Sequence, residues 1–255
     1  MLMLGIAGEL AQSETPGATR PSSSPPRLTT VVDSSTVVMA ALQTPPYPLV
    51  VSRGAEMAVG TLVDCLEVEG LSLPGVNGPA ETAQTFAERW TGRTGRPAPP
   101  GMRLRVHRLT RVIDPPSPAG AFRPARPSDV PLLAEWGEAF NIETGVGDAR
   151  SGMTIVETRM AAGGLYVWDH EGPVSMAAWS GPTPTGVRVN FVYTPTELRG
   201  RGYASACVAS LSRLLLQRGH AFCGLFTDLA NPISNRIYRC IGYEPVCDFT
   251  EYRFT

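Results

Sequence analysis

Two arginines and two glycines alternate in the run Arg199-Gly200-Arg201-Gly202-Tyr203-Ala204. Glycine carries no side chain, so neighbouring backbone N–H groups can approach an anion closely, and guanidinium groups add charge and several donors. These residue types at this spacing are suited to holding a phosphate group. The alternative is a turn that needs glycine for its shape, with both arginines in solvent.

The residues around this run predict a strand before it and a helix after it. Four apolar residues alternate with more polar ones and are expected to point to one side of the strand: Val187, Val189, Phe191 and Tyr193. Apolar residues then recur at helical spacing up to Gly219, which is placed as a left-handed residue after a helix. The first N–H groups of a helix have no partner within it and carry partial positive charge, so this order of elements favours an anion site.

Two common phosphate loops are excluded. The run has no Gly-Lys-Ser/Thr, so it is not a nucleotide P-loop. A third glycine is also missing, which excludes the dinucleotide fingerprint.

Two motifs resemble those of the Gcn5-related N-acetyltransferase (GNAT) family. Arg199-x-x-Gly202-x-Ala204, after a strand that ends in Val192-Tyr193-Thr194, is similar to the family pattern Arg/Gln-x-x-Gly-x-Gly/Ala. Residues 231–243 resemble the second motif, with Asn235, a tyrosine three residues on at Tyr238, and then Gly242-Tyr243. The resemblance covers about residues 122–255.

The resemblance implies a mixed α/β fold, the GNAT acyl-CoA N-acyltransferase fold, with acetyl-CoA as co-substrate. It implies that loop amides hold the pyrophosphate, that the strand end binds the pantetheine arm and polarises the thioester carbonyl, and that Tyr238 is the general acid. The implied cofactor-binding residues are Val192, Tyr193, Thr194, Arg199, Gly200, Arg201, Gly202, Tyr203, Ala204, Asn231 and Asn235.

The general base is left open by the sequence. Many family members carry a glutamate on the strand, where this chain offers only Asn190. Glu138, Glu143, Asp228 or a chain of waters are alternatives.

The expected function is acetyl transfer to a primary amine of a small molecule or peptide. The alternatives are a non-catalytic acyl-CoA-binding or protein-interaction module with this fold, and a phosphate-binding regulatory domain.

The N-terminal half shows the same order of predicted elements as the C-terminal half. Residues 36–114 are therefore interpreted as a smaller, degenerate GNAT-like domain, followed by a linker at 115–121 and the N-acetyltransferase domain at 122–255. Its loop, Val51-Ser52-Arg53-Gly54-Ala55, has one glycine and is expected to bind no cofactor. Residues 1–35 are rich in Ser, Thr, Pro and Gly towards their middle and are predicted to be a disordered tail.

Composition limits the partners. The 255 residues have 43% hydrophobic content, 18% charged content and a net charge of −1, which is typical of a globular protein. The chain shows no basic patch for nucleic acid and no apolar run long enough to span a membrane. Five cysteines, an odd number, suggest reduced thiols and a cytoplasmic location. The three histidines lack ligand companions, so no metal site is expected.

Overall fold

The computed structural model describes residues 25–145 and 151–255, which contain eleven strands and six α-helices. The strands are β1 (Arg27–Asp33), β2 (Thr36–Gln43), β3 (Leu49–Val51), β4 (Gly75–Pro79), β5 (Pro100–Leu109), β6 (Ala121–Pro124), β7 (Leu165–Asp169), β8 (Pro173–Ser180), β9 (Gly186–Tyr193), β10 (Phe222–Asp228) and β11 (Glu244–Arg253). The helices are α1 (Glu56–Val68), α2 (Ala80–Thr94), α3 (Val130–Thr144), α4 (Gly152–Ala161), α5 (Tyr203–Gln217) and α6 (Pro232–Ile241).

The described residues form two units. Unit 1 contains residues 107–145, 151–226 and 232–244, and unit 2 contains residues 25–106, 227–231 and 245–255. The mixed α/β class predicted from the sequence is confirmed. Two successive runs of the chain also have the same order of elements, β2-β3-α1-β4-α2 and β8-β9-α5-β10-α6.

The sheet of unit 1 has the order β5-β10-β9-β8-β7-β6, and its β5 residues are His107–Leu109. Strands β6 to β9 are antiparallel, whereas β10 runs parallel to β9, as a strand reached through a crossover helix must. Helix α5 packs on one face through a buried cluster that includes Val187, Val189 and Leu211. A second cluster, with Leu133 and Phe191, joins the sheet to α3 and α4.

The alternation predicted for the strand before the glycine loop is wrong in its second half. Val187 and Val189 belong to the cluster with α5, but Phe191 and Tyr193 pack in the cluster with α3 and α4. An extra residue in β9 causes the change of face, because one inserted residue reverses the side to which every later side chain points.

The sheet of unit 2 has the order β1-β2-β3-β4-β11-β5. Strand β11, the last in the chain, is antiparallel to β4, with registered pairs from Gly75–Arg253 to Pro79–Phe249. Phe254 is buried beside Trp90 of α2, with ring centroids 6.1 Å apart. Residues 245–255 therefore complete unit 2, although the sequence placed them in the domain at 122–255.

The predicted N-terminal tail needs a correction. Residues 1–24 lie outside the described part of the chain, but Arg27–Asp33 form β1, paired antiparallel with β2. Most of its side chains are exposed, so it lacks the apolar alternation by which strands are found. Its β-branched residues and its pairing with β2 stabilise it instead.

Candidate functional site

Strand β9 contains a bulge just before the glycine loop. Tyr193 is registered with Met176 of β8, but Asn190 is registered with Ala178, so β9 has one residue more than β8 between these pairs. Phe191 has a φ of 52°, which is uncommon for a residue with a side chain. Bulges of this kind change the direction of backbone groups and occur often beside active sites.

The bulge lies where β9 and β10 separate. Their registered pairs end at Gly224–Arg188, so Val189 to Tyr193 continue beyond the paired region. Tyr193 is registered with Met176 of β8 on the other side of the strand. Val192 therefore lies beside the opening between β9 and β10, beyond their last registered pair.

Buried hydroxyl groups fix the end of β9. The Thr194 hydroxyl donates to Ser175 Oγ at 2.9 Å, and the Ser175 hydroxyl donates to the Tyr193 carbonyl oxygen at 3.1 Å. Both side chains are buried, so the bonds are shielded from water. Ser175 was missed from the sequence. Its one available signal is a small polar residue inside the apolar run of β8.

The glycine loop needs glycine for its backbone conformation. Gly200 and Gly202 have φ values of 77° and 84°, in the left-handed region that favours glycine. A Cβ at Gly200 would meet nothing within 4 Å, and one at Gly202 would meet only Pro116 and Pro118, at 3.9–4.0 Å. A lack of space for a side chain therefore does not explain why either position is glycine.

Gly202 is also the N-cap residue of α5, and the helix has no side-chain cap. The amides of the first turn, from Tyr203 and Ala204 onward, are left to another acceptor. The Tyr203 side chain is buried in the α5 cluster and so contributes to the loop through its backbone. The loop thus has both properties that a backbone anion site requires, left-handed glycines and an uncapped helix start.

The two loop arginines have different environments. Arg199 donates from Nε to the Thr194 carbonyl oxygen at 2.9 Å and from Nη2 to both carboxylate oxygens of Glu143, at 2.8 and 2.7 Å. Arg201 is exposed and donates from Nη2 to the Glu197 carbonyl oxygen at 3.2 Å. In the structure the Arg199 side chain therefore points towards α3, although the sequence predicted that Arg199 binds the cofactor.

Tyr238 lies on α6 and packs against the α5 cluster, with its ring at right angles to that of Tyr243. Burial, followed by the nearby Cys207 thiol, raises the pKa of Tyr238 to about 12. The phenol therefore stays protonated at neutral pH, as a proton donor must. Asn235 is half-buried in the first turn of the same helix, and Asn231 is exposed just before it.

The candidate bases suggested by the sequence are engaged elsewhere. Glu138 accepts a hydrogen bond from the Gly152 amide at 2.5 Å at the start of α4, and Glu143 binds Arg199. Asp228 accepts from the Ala230 amide at 2.8 Å. Asn190 donates to Ser180 Oγ at 2.8 Å. None of the three carboxylates is thus presented as an unbound base.

The loop of the N-terminal half differs from the loop before α5. Gly54 is a packing glycine, because a Cβ there would lie 2.7 Å from the Met39 sulfur. A cavity of about 580 Å³ in unit 2 is lined by this loop, the starts of α1 and α2, and part of β11. Glu56, Glu81 and Asp248 line it beside Arg53, a balance that disfavours a polyphosphate. The expectation that this half binds no cofactor stays a prediction.

Comparisons with known proteins agree with the motifs. A family model described as FR47-like protein matches residues 164–254. A GCN5-related N-acetyltransferase from Kribbella flavida is similar at 20% identity and a TM-score of 0.57, over 89% of each chain. A GNAT-family acetyltransferase from Colwellia psychrerythraea is similar at 10% identity and a TM-score of 0.60, over 89% of this chain and 85% of its own. No curated protein sequence matches.

A tandem GNAT protein from the clavulanic acid biosynthesis pathway is similar over 98% of this chain and 93% of its own, at 13% identity and a TM-score of 0.52. This likeness fits the prediction of two GNAT-like halves. The chain thus has the fold of GNAT acetyltransferases, and its C-terminal part matches the FR47-like family model.

Two structural features are absent from residues 25–145 and 151–255. These residues contain no helix with the length and apolar character needed to cross a bilayer. They also contain no group of three or more His, Cys, Asp or Glu side chains placed to hold a metal ion.

Proposed function

We propose that the chain is an N-acetyltransferase that moves an acetyl group from acetyl-CoA to a primary amine of a small molecule or peptide. The observation that carries this proposal is the uncapped start of α5, entered through two left-handed glycines at which a Cβ would meet nothing closer than 3.9 Å. Such a loop suits a pyrophosphate, since several amides converge on one anion.

The residues around the loop fit the rest of the co-substrate. The amides from Gly200 to Ala204 hold the pyrophosphate, and Arg201 contributes charge at the rim. The backbone of Val192 to Thr194 binds the pantetheine arm, as an added strand would at the opening beyond the last β9–β10 pair. Asn231 and Asn235 are the predicted side-chain contacts to the arm.

The reaction is a nucleophilic substitution at a thioester. Acetyl-CoA supplies the thioester, and the amine nitrogen forms a bond to its carbonyl carbon as the carbon–sulfur bond breaks. The Val192 N–H, set by the bulge, stabilises the negative charge that develops on the carbonyl oxygen. Tyr238 donates its proton to the departing sulfur. The amine proton leaves to water because Glu138, Glu143 and Asp228 are engaged, and the Tyr238 phenolate takes a proton back from water.

Calorimetric titration with acetyl-CoA tests this assignment. Gly202→Glu places a carboxylate where the pyrophosphate is expected and should abolish binding. Gly202→Ala is the matched control, because it brings the same strain at positive φ without the charge. Its affinity should fall by no more than about tenfold, the equivalent of the left-handed backbone penalty. Equal affinities of wild type and Gly202→Glu would contradict the loop assignment, and a folded wild type that binds no acetyl-CoA would contradict the function.

A non-catalytic acyl-CoA-binding module is the second candidate. The engagement of Glu138, Glu143 and Asp228, together with Asn190 on β9, favours it, because each of these three candidate bases is then bound to another group. This candidate predicts tight binding of acetyl-CoA without release of free CoA for any amine in a broad panel. Turnover that is lost in Tyr238→Phe would exclude it.

A further inference from the structure

The Arg199 side chain joins two parts of unit 1 that are distant in sequence. One edge of its guanidinium binds the carbonyl oxygen of Thr194, the residue after β9. The other binds Glu143, 56 positions earlier in the last turn of α3. Its Cζ atom also lies 5.7 Å from the Tyr193 ring centroid. Arg199 thus contacts the strand end through two consecutive residues.

Charge at the end of α3 accounts for this arrangement. A helix C-terminus is partially negative, and Glu143 adds a full negative charge there, while the last turn of α3 contains no basic residue. Arg199 supplies the cation from outside the helix. Planar guanidinium groups suit such a position, because they bind a carboxylate and a second acceptor at fixed angles.

The contacts of Arg199 with Thr194 and Glu143 are here called the clamp, and its Thr194 end is also held by a second, independent contact. Its hydroxyl is held by Ser175 in the buried interior, while its carbonyl oxygen accepts from Arg199. The Arg199 side chain therefore links a strand end that is held on its buried side to Glu143 in the last turn of α3.

We propose that Arg199 is a positioning residue that ties the end of β9 to the last turn of α3, and that its side chain is not a phosphate ligand. Arg201 is the loop arginine that binds the co-substrate, since its one described side-chain hydrogen bond is to a loop carbonyl group. The proposal rests on the proposed function, because the position of α3 then affects how an amine reaches the thioester held at β9.

The test compares Arg199→Gln, Arg199→Lys and Glu143→Gln with Arg201→Gln as the matched loop control. The acetyl-CoA Kd is measured by calorimetry at two salt concentrations. The release of free CoA is measured with a panel of alkyl, aryl and amino-acid-amide amines, and the amine that wild type uses best gives kcat and KM. Arg199→Gln and Glu143→Gln should leave the Kd within about threefold and raise the amine KM by about tenfold or more, as expected for loss of positioning.

Arg199→Lys should resemble Arg199→Gln, because lysine keeps the charge but not the fork that binds both acceptors. Arg201→Gln should instead weaken acetyl-CoA binding about tenfold and reduce its salt dependence, with the amine KM unchanged. A loss of acetyl-CoA affinity in Arg199→Gln as large as that in Arg201→Gln would overturn the proposal. So would unchanged kinetics in all three clamp variants.

Hydrogen–deuterium exchange separates failure of the clamp from failure of the proposed function, since it needs no ligand. Arg199→Gln and Glu143→Gln should both increase exchange in the last turn of α3, at residues 140–145, whereas Arg201→Gln should not. Faster exchange in these two variants, together with a wild type that binds no acetyl-CoA, would support the clamp and contradict the acetyltransferase function. Unchanged exchange would refute the clamp whatever the chain binds.

Discussion

Tyr238 shows how the surroundings of one residue can suit it to a single chemical role. The phenol of a free tyrosine has a pKa near 10, and burial raises that of Tyr238 to about 12. A donor must hold its proton until the leaving group needs it, and the raised pKa extends the protonated range upward in pH. The same shift makes Tyr238 unsuited to act as the base.

Tyr238→Phe is expected to lower kcat about 100-fold, because the thiolate then leaves without a proton donor. In wild type, loss of the proton on Tyr238 should not limit kcat below about pH 11, since its pKa is about 12. A profile of log kcat from pH 7 to pH 10.5 at saturating acetyl-CoA measures this. Tyr243→Phe is the control, because it loses a buried hydrogen bond to Ser212 and should lower stability but not kcat. If Tyr238→Phe had the same kcat as wild type, Tyr238 would not be the general acid.

The sequence can predict some features of the candidate site and not others, for a physical reason. Gly200, Gly202 and Tyr238 lie in short local motifs, where turn shape and helix position follow from neighbouring residues. Ser175 and the partner of Arg199 depend on contacts between residues far apart in the chain. A sequence shows that an arginine is charged, but not which carboxylate the fold brings to it.

Among the elements, β9 combines a predictable and an unpredictable feature. Its strand, the loop and α5 follow from apolar spacing and from glycine, and the structure has all three where they were expected. The bulge at Phe191 was not predictable, because Val187, Val189, Phe191 and Tyr193 fit an unbroken alternation. Pairing with β8 produces the extra residue, and that pairing is a tertiary property.

Strands β6 and β7 and the turn before α3 are joined by Arg123. It donates to Asp169 at 2.5 Å and to Asp129 at 2.6 Å. Burial works against the charged form of Asp129, but Arg123 and the Arg126 amide hold its pKa below the ordinary value. Arg123 and the Gly172 amide lower the pKa of Asp169. Both groups therefore stabilise the fold above pH 3.8, and the contribution is lost as pH falls through their lowered values.

Asp169→Asn should lower the free energy of unfolding by roughly 1–2 kcal/mol at pH 7, since it removes a charge-assisted hydrogen bond. The difference from wild type should shrink as the pH falls below 3.8 and through the lowered pKa of Asp169, where the wild-type carboxylate also becomes neutral. Urea unfolding at pH 7, 5 and 3 measures it. Glu135→Gln, at an exposed position of α3, should match wild type throughout. A difference from wild type that stays constant with pH would show that packing, and not charge, is responsible.

At the scale of the whole molecule, the position of β11 is the main departure from the sequence interpretation. Chain order suggests that the last strand completes the sheet formed just before it. The structure instead pairs it with β4, and Arg105 of β5 binds Asp248 at 2.7 Å within the same unit. No local pattern in Glu244–Arg253 indicates which sheet edge will accept it, because an alternating strand fits several partners.

Phe254→Ala should destabilise the protein by about 3–5 kcal/mol, since it leaves a cavity beside Trp90 in the core of unit 2. Val246→Ala, in β11 itself, should change stability by less than about 0.5 kcal/mol, because Val246 is 55% exposed. Urea unfolding followed by tryptophan fluorescence measures both. Equal effects of the two substitutions would show that the chain end does not support the core of unit 2.

The position of β11 also has a consequence for how the protein is made. The ribosome makes residues 245–255 after every other described residue of unit 2, yet β4 and β5 lie on either side of β11 in the finished sheet of that unit. At synthesis rates of about 5–20 residues per second, the first-made half spends several seconds with that place unfilled and its apolar strands exposed. The sheet of unit 2 is therefore completed only after residues 245–255 have been made, well after β1 to β5.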